Sequence, residues 1–505
     1  MTNAPATEPL LAHTTSALES KKIVVFTVCA VLLLAVDFGF YMSNAPQLAV
    51  FEDIICRNYK ETLRRTGEAL TPSLIEGNPC KSEAVQGELA LVIGYKDTFD
   101  VLPGLLLSLP YGVLSDRWGR RPLLYLGLLG ILLGEVWVRL VCLWSNVIPL
   151  RMVWLSALFR IIGGGDVVIT AIALVIVADV FSEDERSTKL FQLQSCIFVA
   201  EILASPLSAY LMTKGPMFPY LLSLGLIIVG SLPAIFLPET LEDAKAKRTK
   251  QPEPEQHDGT EPLESAEPLE SDKRTVIQEL TRQAREFSDS TRFIWSDFNV
   301  VLMVMVLFVT VMSRQCTNLL LQYVSAKFDW SIGRSSLLIS LRGIFALVTY
   351  LLLMPFVSFV AAKYFNLHGK RSDHIMSKGS GILSVIGFMA VFIGPNPAFL
   401  IGGLVVLSIG SAFMVTTRSL ATSLVVPDHV GTLYSAIGIA QGVGLLVSGP
   451  LFANLFRLGL HLGKAWMGLP FLMAAVFFIF AVVAVWNVKL EPSRGTDEEQ
   501  EPLLS

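Results

Sequence analysis

The sequence predicts an all-α membrane protein of twelve transmembrane helices, arranged as two six-helix bundles related by a pseudo-twofold axis. Three observations predict this class: an apolar composition, twelve long apolar stretches, and one polar linker that separates them six and six. Of the 505 residues, 52% are hydrophobic and only 16% are charged, and the mean hydropathy is +0.57. A soluble core cannot bury that much apolar surface, so we expect lipid to cover part of it.

The apolar stretches have the length that a bilayer requires. A helix needs about 20 residues to cross a hydrocarbon core of about 30 Å. Lipid offers no hydrogen-bond partner to an open strand edge or a loop, so we predict a helix in each stretch. The stretches are 23–42, 89–112, 122–144, 150–177, 190–212, 218–237, 299–322, 336–360, 379–395, 398–420, 432–456 and 466–487.

A long polar segment divides the chain near its middle. The predicted parts are cytoplasmic tails at 1–22 and 488–505, an N-terminal bundle at 23–238 with an external loop at 43–88, a cytoplasmic linker at 239–297, and a C-terminal bundle at 298–487. Residues 251–272 of the linker are rich in Glu, Pro and Ser, which indicates disorder. Residues 274–295 carry apolar side chains at helical spacing and predict an amphipathic helix on the membrane surface, with a solvated linker as the alternative.

Basic residues near the ends of the stretches predict the orientation. Lys21 and Lys22 precede the first stretch, and Arg120 and Arg121 lie between the second and the third. The alternate connections carry few basic residues. Lys and Arg accumulate on the cytoplasmic side of membrane proteins, so both termini are predicted to be cytoplasmic.

Two of the six cysteines stand apart from the others. Cys56 and Cys80 fall in the polar segment after the first stretch, whereas the other four lie inside apolar stretches and are expected to pack as small hydrophobic side chains. If this segment faces an oxidising compartment, we expect a disulfide between Cys56 and Cys80. In a reducing compartment both would remain free thiols.

The sequence argues against several other classes of function. No Cys or His cluster has metal-ligand spacing, and no phosphate-binding loop of a nucleotide-driven pump occurs, so we expect no metal, no cofactor and no enzyme. The net charge of −4 comes without a basic face, so no nucleic-acid partner is expected.

Ionisable residues inside the apolar stretches are the main functional signal. Such residues cost several kcal/mol in hydrocarbon, so they normally face a bundle interior or a cavity. Glu135 with Arg139, and Lys96 with Asp100, are four residues apart and are expected to neutralise each other on one helical face. The others are Asp37, Asp97, Arg160, Asp166, Glu201, Arg314, Arg342 and Arg418.

The two halves differ in the sign of these charges. Arg314, Arg342 and Arg418 have no intramembrane carboxylate in their own half, so they must face water, the acidic N-terminal half or an anionic substrate. We predict that a substrate cavity is formed by Arg160, Arg314, Arg342, Arg418 and Gln441, with helix packing as the alternative role for Gln441. We predict that Asp37, Asp166 and Glu201 bind protons, with a structural ion pair as the alternative role for Glu201.

The connection between the second and third stretches carries the most specific motif. It reads Gly112-Val-Leu-Ser-Asp116-Arg117-Trp-Gly119-Arg120-Arg121. This matches the G-x-x-x-D-x-x-G-R-R motif of the major facilitator superfamily at every defined position, so the chain resembles that family. The resemblance implies that this turn is a cytoplasmic latch, in which Asp116 would hold the outward-open state. The alternative is that Arg117, Arg120 and Arg121 only set the topology.

A second resemblance concerns the branch of the family. Arg160 followed by Gly163-Gly164-Gly165 resembles the arginine motif of the fourth helix in this family, with Arg160 and Gly164 expected on one helical face. Ala178-Asp179-Val180, Glu201, the run from Leu337 to Arg342, and Gly431-Thr432-Leu433-Tyr434 resemble, in that order, the proton-coupled folate transporter and its filamentous-fungal relatives.

This resemblance implies a secondary transporter that moves a small organic solute together with protons. Fungal relatives imply export of a metabolite, whereas the folate transporter implies proton-coupled uptake of an organic anion. A membrane receptor or scaffold without transport is the alternative from another class. We expect a monomer in the plasma membrane, and the acidic dileucine pattern Glu499–Leu504 keeps a vacuolar or endosomal membrane open.

Overall fold

The computed structural model describes residues 8–66, 78–242, 297–365, 370–425 and 430–488. Within these residues, twelve helices are long and apolar enough to cross a membrane, which confirms the predicted number. In chain order they are α1 Glu19–Thr66, α2 Glu83–Trp118, α3 Arg120–Leu143, α4 Leu150–Val180, α5 Thr188–Met212, α6 Met217–Phe236, α7 Phe298–Phe328, α8 Ile332–Tyr364, α9 Lys370–Ile393, α10 Pro397–Ser423, α11 Val430–His461 and α12 Leu469–Asn487. The predicted linker helix 274–295 and the dileucine pattern lie outside the described residues.

The first helix is longer than the sequence predicted. The segment 43–88 was expected to be an external loop, but the helix continues through Pro46 to Thr66, and a short helical turn, Pro79–Lys81, precedes α2. The extension has a buried apolar face, since Leu48, Phe51 and Ile54 lie at helical spacing in the core. The requirement of about 20 apolar residues applies only to the part of a helix that crosses lipid. It therefore does not predict a helical extension that packs against protein.

The structure joins Cys56, near the end of the extended α1, to Cys80 in the Pro79–Lys81 turn through a disulfide. We call the end of the bundle that holds this bond the disulfide end. The turn from Gly112 to Arg121 lies at the opposite end of α2, and we call that end the latch end.

Helix α4 is broken in the middle. Gly163, Gly164 and Gly165 have φ angles of 92°, 77° and 69°, which only glycine adopts without strain. The Tyr111 hydroxyl on α2 accepts from the N–H of Gly163 at 2.8 Å and donates to the carbonyl of Ile161 at 3.0 Å, which satisfies backbone groups freed by the break. The prediction that Arg160 and Gly164 share one helical face is therefore wrong, because no helix connects them.

The corresponding helix of the second half is also broken, but at another place. In α10 the helix is interrupted at 411–412, so Arg418 follows the break, whereas Arg160 precedes the break in α4. Discontinuous helices at corresponding positions of two repeats are typical of transporters and mark their central site. The two arginines therefore lie at different depths and are not equivalent.

The two halves are in close contact at the disulfide end. Leu321 and Ile332 of the second half belong to the same buried cluster as Phe51 and Leu89 of the first. The Gln322 amide donates to the backbone carbonyl of Gln86 at 2.6 Å. Side chains from α1, α2, α7 and α8 therefore close this end.

The latch end is open. A Cβ added to Gly112 on α2, or to Gly431 or Gly438 on α11, would meet no atom within 4 Å. Nearer the middle the same two helices touch, since a Cβ on Gly442 would lie 2.5 Å from Leu105. The structure is therefore the state that opens toward the latch end.

Arg139 joins three helices of the first half in a buried network. Its guanidinium donates to Glu135 on α3 at 2.7 Å and to the Ser43 hydroxyl on α1 at 3.3 Å. On α6 it donates to the carbonyl of Tyr220 at 3.0 Å and to the Ser223 hydroxyl at 2.9 Å. It also stacks on the Tyr220 ring, with 4.3 Å from Cζ to the ring centroid.

Replacing Arg139 by Met should destabilise the fold by roughly 3 kcal/mol, because it removes a buried partner of the Glu135 carboxylate. Arg151→Met is the matched control, since Arg151 is 63% exposed where it pairs with Glu88, and it should cost less than about 1 kcal/mol. Thermal unfolding of both variants in detergent measures the difference. Equal midpoints for the two variants would contradict this account of the network.

Candidate functional site

Arg160 is the centre of a charge network in the first half. It lies at the end of the first segment of α4, and its guanidinium reaches Asp100 on α2 at 3.2 Å, Glu135 on α3 at 3.3 Å and Asp166 beyond the break at 2.6 Å. Lys96 pairs with Asp100 at 2.7 Å. Both predicted i,i+4 pairs are present.

A polar cavity of about 260 Å³ adjoins this network. We call it the N-terminal cavity. Its charged lining residues are Lys96, Asp97, Glu135, Arg160 and Asp166. Asn318 on α7 lines the same cavity, so it reaches the boundary between the halves.

A second cavity, of about 210 Å³, lies between the halves and is called the central cavity. Its lining includes Tyr41 of α1, Phe198 and Glu201 of α5, Arg314 of α7, and Arg342 and Tyr350 of α8. Tyr41 also lines the N-terminal cavity, so the two cavities are neighbours.

Glu201 and Arg342 form an ion pair across the boundary between the halves. The distance from Arg342 Nη2 to Glu201 Oε1 is 2.6 Å, and the Glu201 side chain is 5% exposed. A Cβ on Gly343 would lie 3.4 Å from the Glu201 carboxyl carbon, so glycine at this position permits the close approach of α5 and α8. The pair depends on the relative position of the two halves.

Arg314 is the cation of the central cavity without a carboxylate partner among the described residues. It is exposed to the cavity, and its Nη1 lies 3.0 Å from the Met414 sulfur, which is a weak acceptor. The rings of Phe198 and Tyr350 pack together at 5.9 Å on the same wall. The cavity therefore combines one uncompensated positive charge with aromatic surface.

The structure separates some predicted site residues from others. It brings Glu201, Arg314 and Arg342 to the central cavity, and it brings Arg160 and Asp166 to the N-terminal cavity. It does not bring Arg418 and Gln441 to either cavity.

Arg418 and Gln441 bond to each other, from Arg418 Nη2 to Gln441 Oε1 at 3.0 Å. Asp37 is half-buried and has no hydrogen bond or ion pair within the part of the chain that the structure describes.

The latch motif forms a compact set of bonds within the first half. The guanidinium of Arg120 lies 2.7 Å from Asp116 and 3.2 Å from Asp179 at the end of α4. Arg121 donates to the Tyr125 hydroxyl at 2.6 Å. Arg117 is exposed. In this state, which is open at the latch end, Asp116 pairs with Arg120.

Glu239 is a latch residue that the motif did not reveal. Its carboxylate accepts from the backbone N–H groups of Arg120 at 2.9 Å and Arg121 at 3.2 Å, at the start of α3. Gly119 has φ 103°, and a Cβ there would lie 2.5 Å from Glu239 Oε2. The glycine of the motif thus makes room for an acidic helix cap that comes from the far end of α6.

The electrostatics of Glu239 favour the ionised form. Burial opposes ionisation, but the backbone N–H groups of Arg120, Leu241, Arg121 and Thr240 outweigh it and hold the pKa of the Glu239 carboxyl below its ordinary value of 4.5. The sequence signal was an acidic residue two positions after the sixth apolar stretch, and nothing in it indicated a partner 119 residues earlier.

Twelve membrane helices in two halves, with one broken helix in each half and a charged cavity between the halves, are typical of a secondary transporter. The chain belongs to the Major Facilitator Superfamily, which it matches over residues 28–311 and 303–504. It is therefore a membrane transporter of small solutes, with multiple transmembrane helices, and not an enzyme.

Several relatives support this assignment. The MFS-type transporter avaK of Aspergillus versicolor is 34% identical over 94% of this chain and 94% of its own. The MFS efflux pump atnC of Emericella nidulans is 33% identical over 95% of this chain and 89% of its own. The proton-coupled folate transporter of Bos taurus is 27% identical over 77% of each. The predicted resemblance is confirmed, with the fungal proteins more similar than the folate transporter.

Solved structures agree on the fold. The crystal structure of the nucleoside transporter NupG superposes with a TM-score of 0.59 at 12% identity, over 92% of this chain and 99% of that chain.

Replacing Glu239 by Gln should lower the thermal stability at neutral pH, because the folded state holds the carboxylate in its charged form. Its contribution is complete above the ordinary pKa of 4.5 and is lost as the pH falls through the lower pKa of the folded state. The gap in unfolding temperature between wild type and Glu239→Gln should therefore close on acidification. The exposed Glu242→Gln is the control and should show no gap. A gap that persists after acidification would contradict the assignment.

Proposed function

We propose that this transporter exports a small organic metabolite, that it is coupled to protons, and that an anionic group of the solute binds Arg314. The observation that carries the proposal is the cavity-exposed guanidinium of Arg314, which has no carboxylate partner among the described residues. A cation within the membrane that has no counter-ion is costly, so an anion in the cavity would stabilise it. Export is supported by the names of relatives such as the efflux pump atnC.

The aromatic wall suggests the rest of the solute. Phe198, Tyr350 and Tyr41 offer flat apolar surface beside Arg314. A solute with one acidic group and an aromatic or otherwise apolar body would fill a space of about 210 Å³. The cavity is small in this state, so larger solutes would need the halves to move apart.

Transport would follow from a change in the contacts between the halves. In the state described here the solute enters from the latch end. Closing that end would bring α2 and α11 together, where Gly112 and Gly438 now face open space, and opening the disulfide end would release the solute on the other side.

The carboxylates of the first half and of α5 are the candidates for proton binding. Glu201 holds Arg342 across the boundary, so protonation of Glu201 would weaken this pair and free the halves to rearrange. Asp166 pairs with Arg160 in the N-terminal network, and its charge acts on Asp37. In this network the four carboxylates of Asp97, Asp100, Glu135 and Asp166 accompany the three cations of Lys96, Arg139 and Arg160.

A second candidate function is proton-coupled uptake of an organic anion. The Glu201–Arg342 pair favours it, because a proton on Glu201 would release Arg342 to the anion and so make the two bind together. Flux in proteoliposomes with an imposed pH gradient distinguishes the two functions. Exchange of solute against protons supports export, and movement of both in one direction supports uptake.

We also propose that the protein acts as a monomer in the plasma membrane. Its latch end would lie in the cytoplasm, as the positive residues near the helix ends predict.

Arg314→Gln should weaken transport of anionic solutes by roughly tenfold, because a charged hydrogen bond to the solute is lost. Neutral amide or ester analogues should move at the wild-type rate. Arg334→Gln is the matched control, since Arg334 also lies in the second half but stacks on Trp330 outside the central cavity. Concentration dependence of flux, measured for a panel of organic acids and their neutral analogues, gives the comparison. Unchanged anion flux in Arg314→Gln would remove Arg314 from the site.

A further inference from the structure

The helices α2 and α11 cross at one point where backbone meets backbone. A Cβ on Gly94 of α2 would lie 2.7 Å from the carbonyl oxygen of Gly449 on α11, and a Cβ on Gly449 would collide with Gly94. One turn further along α2, the Thr98 hydroxyl donates to the carbonyl of Leu446 at 3.2 Å. This crossing lies between the closed disulfide end and the open latch end.

Asp97 lies beside this crossing, and among the described residues its hydrogen bonds go to the other half. It accepts from the Asn318 amide at 3.3 Å and from the Gln315 amide at 3.4 Å, and both amides belong to α7. No cation of the described chain forms an ion pair with Asp97, although Lys96 is its neighbour, because Lys96 is directed at Asp100 at 2.7 Å.

The charged and titratable groups around Asp97 come from several helices. Those that line the N-terminal cavity or are adjacent on α2 are Tyr41 from α1, Lys96 and Asp100 from α2, Glu135 from α3, and Arg160 and Asp166 from α4. Helix α7 contributes only the two neutral amides. Arg160 and Lys96 are already bonded to other carboxylates, so Asp97 depends on α7 for its hydrogen bonds.

We propose that Asp97, Gln315 and Asn318 form a proton-sensitive clasp that holds the disulfide end closed. An ionised carboxylate accepts strongly from both amides, whereas a protonated one accepts weakly and must place its own O–H. Protonation of Asp97 therefore shifts the transporter toward the state that is open at the disulfide end. This role needs no solute and does not depend on the proposed solute class or direction.

The test measures the two states directly with pairs of spin labels in the full chain, without solute. In a background in which the free cysteines Cys29, Cys142, Cys196 and Cys316 are replaced by alanine, Val147 and Leu462 mark the disulfide end. Phe236 and Tyr364 mark the latch end. All four label positions are more than half exposed, and each pair has one member in each half. Pulsed electron paramagnetic resonance gives the populations of the open and closed distances.

At about pH 8, Asp97→Asn should raise the ratio of open to closed disulfide ends about fivefold. At the latch end, the ratio of closed to open distances should rise by the same factor. The gap between wild type and Asp97→Asn should narrow toward about pH 5, as wild-type Asp97 takes up a proton. Asn318→Leu should act in the same direction at pH 8 and add little to Asp97→Asn, since both break one interaction.

Asp373→Asn is the matched control, because Asp373 accepts from the Ser419 hydroxyl at 2.6 Å within the second half. It should behave as wild type. Equal populations in wild type and Asp97→Asn at pH 8 would overturn the proposal, and so would full additivity of Asp97→Asn with Asn318→Leu. A variant that merely misfolds would not show opposite changes at the two ends.

Discussion

The first half of this transporter depends on one constraint: a guanidinium inside a membrane must find its counter-charges in protein. Arg160 meets it with carboxylates from α2, from α3 and from the far side of the break in its own helix. The break is part of the solution, because Gly163 to Gly165 turn the chain so that Asp166 reaches the same guanidinium. Tyr111 then bonds to the backbone groups that the turn leaves without helical partners.

The arginines of the second half obtain their counter-charges differently. Arg342 takes its counter-charge from Glu201 of the other half, and Arg314 has none among the described residues. The ion pairs of Arg160 lie within the first half, whereas the Glu201–Arg342 pair crosses the boundary between the halves. The proposed proton and anionic solute would therefore act on contacts at the boundary.

Much of the fold was predictable because the lipid bilayer determines it. Lipid demands apolar helices of a certain length, so the number of crossings and the ranges of most helices were evident in the sequence. The extension of α1 to Thr66 was missed because it packs against protein, and the break in α4 was missed because three glycines are also common in continuous membrane helices. Both depend on tertiary contacts that a linear pattern does not contain.

The site was predictable in part for a related reason. A charge in an apolar stretch reveals that it must be compensated, which pointed to Arg160, Glu201, Arg314 and Arg342. It does not reveal the partner, so the cross-boundary pairing of Glu201 with Arg342 and the capping of α3 by Glu239 required the structure. A charge in an apolar stretch also does not reveal how deep in the membrane the residue lies. Arg418 and Gln441 were therefore predicted to line a cavity that they do not line.

The central cavity is reached from the latch end, while contacts between the halves close the disulfide end. The most direct measurement is labelling of Thr317→Cys, which lines the central cavity, by a membrane-impermeant thiol reagent applied to one face of oriented vesicles. Phe236→Cys and Val147→Cys report the latch face and the disulfide face. The account predicts that Thr317→Cys reacts from the same face as Phe236→Cys and is protected from the other. Reaction from the face of Val147→Cys alone would contradict it.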